Sequence, residues 1–144
     1  VSSIRKQIID AVMARLNTST PGGVPQTTRA RQEPYDPSEL PAITVKPQRE
    51  QIDYEALGKR SYFRKREMTL RVSVHFTGDD SVADPMTVWI TSQLDGQVFP
   101  SLIEDCKEEN NEWEYAAEDQ PYLVLHQDFR VVYHTLVGDQ TRTQ

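Results

Sequence analysis

Met68-Thr69-Leu70-Arg71-Val72-Ser73-Val74-His75-Phe76 alternates apolar and polar side chains without a break. Successive residues of an extended chain point to opposite faces of a sheet. Met68, Leu70, Val72, Val74 and Phe76 therefore share one face, and the polar residues share the other. One covered face and one wet face describe an antiparallel sheet with a layer packed on one side. Near the end of the chain the pattern returns: after Gln120-Pro121, the segment Tyr122 to Leu136 reads as a long strand with Leu123, Leu125, Phe129, Val131 and Tyr133 on one face.

The covering layer is legible on either side of these strands. Ile4, Ile8, Val12 and Leu16 recur at four-residue spacing, Ile9 and Met13 widen the stripe, and Ser2 or Ser3 can cap it, so residues 4 to 17 read as an amphipathic helix. Pro21-Gly22-Gly23 breaks the chain, and six of the nine prolines lie between Pro21 and Pro47. Within that stretch Pro25 to Gln32 reads as a short polar strand, Asp36-Pro37-Ser38 as a turn and Ala42 to Val45 as a strand. Residues 46–66 are charged and nearly aperiodic, which predicts a long charged β-hairpin or loop. Asp84-Pro85 fits an N-cap with proline at the first helical position, and Met86, Trp89, Ile90, Leu94 and Val98 mark a second helix. A short third helix is expected around Leu102, Ile103 and Cys106, then a strand beginning at Trp113-Glu114-Tyr115-Ala116. The sum is an α+β fold: a mainly antiparallel sheet of about four strands with two to three helices on one face. Residues 137–144 read as a flexible C-terminal tail.

The chain has 144 residues, one domain's worth. Hydrophobic residues make up only 37%, which implies a thin core. No apolar run approaches the roughly 18 residues of a membrane span, and the first residues lack a signal core, so a soluble, non-exported protein without membrane contact is expected. The one cysteine excludes an internal disulfide and a multi-cysteine zinc site. The net charge of -6 conceals a division. Residues 1–78 carry 13 basic and 8 acidic side chains, residues 79–119 carry 12 acids against Lys107 alone, and the remainder balances. A molecule with a basic and an acidic pole has directional partners.

No motif specifies chemistry. Six scattered glycines form no phosphate cradle. His126 and His134 lie on one strand face about 26 Å apart, too far to share a metal, so with His75 they read as surface or interface residues. Cys106 follows Glu104 and Asp105 and precedes Glu108 and Glu109, an environment that suppresses a thiolate, and it reads as a packed residue. Glu104, Asp105, Glu108, Glu109, Glu112, Glu114, Glu118 and Asp119 read as a solvated acidic surface on a helix end and a loop. Lys59, Arg60, Arg64, Lys65 and Arg66 surround Tyr62 and Phe63, a combination suited to protein docking or to nucleic acid, where charge meets phosphate and rings stack on bases. A metal-dependent hydrolase would draw on His75 and acids of 104–119; a nucleic-acid module would use residues 59–66. No cofactor is implied.

The order of elements resembles the tail terminator family of long-tailed bacteriophages, the minor tail protein U type of phage lambda. The resemblance runs through Ile4-Arg5-Lys6-Gln7-Ile8-Ile9-Asp10-Ala11-Val12, Leu40-Pro41-Ala42-Ile43-Thr44-Val45 and Leu70-Arg71-Val72-Ser73-Val74. It continues in the helix of Trp89 ending at Phe99-Pro100, in Trp113-Glu114-Tyr115, and in the final strand through Val131-Val132-Tyr133. It implies a structural virion protein rather than an enzyme: a ring of six subunits capping the head-proximal end of the tail tube, assembled in the host cytoplasm. Its partners would be its own copies, the tail tube protein, a head completion or connector protein, and DNA passing through the lumen. A neighbouring head-tail connector is the alternative in the same biology. Lys59 to Arg66 and Glu104, Asp105, Glu108 and Glu109 would make complementary contacts between subunits, and Glu112, Glu114, Glu118 and Asp119 would line the lumen and repel DNA. The charged segment 48–66 is longer than the connection expected of that family.

Overall fold

A computed structural model describes residues 3–18, 27–29, 35–53, 63–96, 102–115, 122–136 and 139–141. Two α-helices, α1 (Ile4–Thr18) and α2 (Asp84–Leu94), accompany five strands: β1 (Thr27–Arg29), β2 (Ala42–Asp53), β3 (Phe63–Phe76), β4 (Asp105–Glu114) and β5 (Leu123–Leu136). They form one sheet in the order β1-β2-β3-β5-β4. Only the β1–β2 pairing is parallel. The fold is α+β with a mostly antiparallel sheet, as the alternating stretches predict.

The register places Met68, Leu70, Val72, Val74 and Phe76 of β3 beside Leu125, Phe129, Val131 and Tyr133 of β5, with Ile43 and Val45 of β2 completing the face. Against it lie Ile4, Ile8, Ile9, Val12 and Leu16 of α1 and Ile90 and Leu94 of α2, all buried. Each such side chain contributes roughly 1.5–3 kcal/mol by leaving water, so this single layer carries the domain. The α1 stripe is held at its start by Ser3, whose Oγ accepts the Lys6 N–H at 3.1 Å, and by a backbone bond from Ile4 N–H to the Gln140 carbonyl at 2.8 Å. Arg15 Nε donates to the Gln93 carbonyl at 2.7 Å and ties α1 to the end of α2.

Three expectations change. The sheet has five strands, because 105–114 is not a helix followed by a loop but the edge strand β4. An edge strand faces water on most sides, so Asp105–Glu114 has no apolar period; only Cys106 is buried. Trp113 accordingly ends a strand instead of beginning one. Asp84 is not the N-cap of α2: a 3-10 turn, Asp80–Ala83, runs directly into that helix, and the capping carboxylate is Asp79, which accepts the Ser81 N–H at 3.0 Å. The described part of 46–66 agrees with the expected hairpin. Strand β2 continues to Asp53 and pairs with Lys65 to Met68. A bulge between Pro47 and Arg49 reverses the phase, so that Glu50 and Ile52 point the same way as Ile43 and Val45. Val98, Lys59, Arg60, Tyr62, Glu118 and Asp119 lie outside the described residues.

Candidate interaction site

The register sorts the charged residues onto places with different fates. At the helix side of the β2–β3 ribbon, Glu50 receives Arg5 Nη2 at 2.7 Å, Arg66 Nη1 at 2.9 Å and the Tyr133 hydroxyl. Arg66 also donates from Nε to Thr135 Oγ1 at 2.8 Å and is 7% exposed. Burial pushes the Glu50 pKa up, but the bonds from Arg5, Tyr133 and Arg66 outweigh it and hold the carboxyl below its ordinary value. Burial, with the neighbouring Glu50 carboxylate, pushes the Tyr133 hydroxyl pKa upward, so this group remains a donor. Arg66 is thus a structural residue, locked between two strands and α1, and leaves the set expected to dock. Lys65 approaches Glu67 at 3.6 Å, and Arg64 stands beside it on β3.

On the opposite, helix-free face, Arg71 bridges three strands. Its Nε and Nη2 grip Asp128 of β5 at 2.8 and 3.1 Å, and Nη2 reaches Glu112 of β4 at 3.1 Å. The carboxylates of Glu114 and Glu104 meet His126 Nε2 and His134 Nδ1 at 3.1 and 2.9 Å. The structure therefore brings an acid to each of these two histidines. His75 lies on the same face, two residues along β3 from Ser73, the register partner of His126; its ring packs on Tyr35 and Tyr122 with centroids 4.9 and 5.8 Å away, and Nε2 is 3.1 Å from Thr44 Oγ1. The described residues contain no group of three His, Cys, Asp or Glu side chains converging as metal ligands do. Cys106 is buried beneath the end of α2; burial, then the charges of Asp105 and Asp95, pushes its thiol up to about 12. No helix among the described residues is long and apolar enough to cross a membrane.

What remains open is the β4 edge. Between β4 and α2 runs a groove of about 290 Å³ bordered by Asp84, Val88, Thr91, Glu108, Trp113 and Gln127. Val88 is 70% exposed, Trp113 45% and Tyr115 67%, an apolar patch on an otherwise acidic border. Gln127 donates to Thr91 Oγ1 at 3.0 Å, and Thr91 donates to Glu108 at 2.7 Å, while the buried Gln127 Oε1 has no hydrogen-bond partner among the described residues. Sequence reasoning found Glu108 but missed Val88 and Gln127, because an apolar residue on a helix and a polar one within an apolar strand each look unremarkable until α2 and β5 are side by side. The first half of β4 is secured to the turn after α2. Gly96, at φ +71°, donates its N–H to the Cys106 carbonyl at 2.7 Å, and Glu108 N–H donates to Asp95 Oδ1 at 2.8 Å. The positive φ suits glycine because a Cβ would crowd the backbone there.

No protein-family model matches the sequence, and no curated protein matches it. The fold is similar to that of a solved chain from the virion of a native gene transfer agent particle, with a TM-score of 0.69 and 12% identity. The likeness covers 94% of this chain and 100% of that one.

Proposed function

We propose that this chain is a structural component of a phage-like virion and, within it, a tail terminator. Six copies would form a ring on the head-proximal end of the tail tube, halt its polymerisation and present the opposite ring face to a head completion protein. One observation carries the reading: the fold is shared from end to end with a chain whose setting is a virion particle. The sequence resemblance to tail terminators narrows that setting to the tail. Opposite charges on different strands support a ring, since a head-to-tail contact needs two unlike, complementary surfaces on each protomer.

Native mass spectrometry of the purified chain, alone and with tail tube protein, is expected to find six copies of the 16.5 kDa chain, about 99 kDa. Particles lacking the chain should carry tails of uncontrolled length in negative stain. Monomer under every condition together with tails of normal length sinks the proposal. Gold labelling at a head vertex rather than at the tail's upper end moves the chain to the connector.

A further inference from the structure

Among the described residues the sheet has two open edges of unlike character, and they fit one another. On one side, β1 accompanies β2 only as far as Val45, so residues 46–53 of β2 form an edge with no neighbouring strand among the described residues. Exposed Lys46 and Arg49 stand there on the helix-free face and have no carboxylate partner among the described residues, while Pro47 and half-buried Ile52 lie on the helix side. On the other side, β4 beyond its bulge between Glu108 and Asn110 exposes Glu112 and Glu114 on the helix-free face and Trp113 on the helix side, next to the groove with Val88.

Direction fits as well. Strand β2 runs antiparallel to β3, β3 to β5 and β5 to β4, so three reversals leave β2 and β4 antiparallel within one chain. Copies related by rotation, with their strands inclined to the axis as in a closed barrel, keep these directions, and an offset of about four residues, roughly 13 Å along the strands, brings 46–53 level with the neighbour's 110–114. The β4 edge of one then meets the β2 edge of the next in the antiparallel sense used throughout most of the sheet. Faces match too: cations oppose acids on one face, and Pro47 and Ile52 oppose the Trp113–Val88 patch on the other. Two β4 edges, by contrast, would place acids against acids, which disfavours a two-fold dimer.

We propose that a second copy of this chain is the occupant of the β4 edge: residues 46–53 of one subunit extend the sheet of the next beside Asn110–Glu114. Arg49 and Lys46 of the incoming copy complete the acidic border. This rests on the ring reading above, to which it adds the contact.

Cysteine pairs across the joint test it in the full chain. Asn110→Cys, on the same helix-free face as Lys46, Arg49 and Gln51, is combined in turn with Lys46→Cys, Arg49→Cys or Gln51→Cys, to sample the register, and mildly oxidised. Strands β3 and β5 separate the two positions within a chain, roughly 14 Å at the usual strand spacing, so no intramolecular disulfide can form. At least one pair is expected to give a reducible ladder reaching six chains, while single variants stop at dimers. If native mass spectrometry finds the ring but every pair stops at dimers, the joint is elsewhere and the edge proposal falls while the ring stands. If there is neither ring nor ladder, both fall. In the intact ring, K46E with R49E should weaken association at least tenfold, and adding E112K with E114K should recover most of it; equal association by all three proteins overturns the charge pairing.

Discussion

Residues 46–66 and 104–119 look alike as sequence, two runs of charge with few apolar residues, yet the described parts of the fold treat them in opposite ways. In the first, the strands carry Glu50 and Arg66 inward, to a network sealed by α1 and Tyr133. In the second, β4 carries its acids along an exposed edge, where Glu112 meets Arg71 and Glu114 meets His126 on the helix-free face. The contrast teaches that a charge run has no fixed meaning until the register is known. A carboxylate next to two guanidinium groups under a helix holds the fold together, and one at an edge is available to a neighbour.

The sharpest way to break this comparison is Glu50→Ala. It leaves Arg66 buried beside Arg5 with no carboxylate, and a loss of about 3 kcal/mol in urea unfolding is expected. A loss below about 1 kcal/mol would mean that the two regions are energetically alike. Next in size is the response to acid. The folded state holds the Glu50 carboxyl below its ordinary range, so its contribution is complete above the unfolded pKa of about 4.3 and disappears as pH falls through the lower folded value. Urea midpoints from pH 6 down to pH 2.5 should decline less steeply in Glu50→Gln than in the parent; parallel curves would remove Glu50 from the acid response. Smallest of all, Glu109→Ala and Glu112→Ala at the open edge should change unfolding free energy by no more than about 0.5 kcal/mol. A larger cost would make the β4 acids part of the fold as well.

These two regions also show what the sequence discloses and what it hides. Alternation in 68–76 and 122–136 and the four-residue stripe of α1 are legible because one sheet face and one helix face meet in a single apolar layer. Strand β4 is hidden because an edge strand needs few apolar residues. The continuation of β2 is hidden for two reasons: the bulge at Pro47/Arg49 shifts the alternation by one, and the inward position after it is filled by Glu50, whose partner Arg5 lies 45 residues away. Of the candidate contacts, the acids were visible by composition. The groove was not, since it joins Val88 of α2 to Trp113 of β4 and Gln127 of β5.

The chain has two tryptophans, and the fold sets them in unlike surroundings: Trp89 is packed against the core, and Trp113 stands at the open edge. Trp89→Phe would leave an indole whose emission colour and quenching report the wetting of one edge alone. Trp113→Phe would leave a fluorophore that follows unfolding instead. Intrinsic light from the unlabelled protein can thus separate the closing of a joint between subunits from the collapse of the subunit itself.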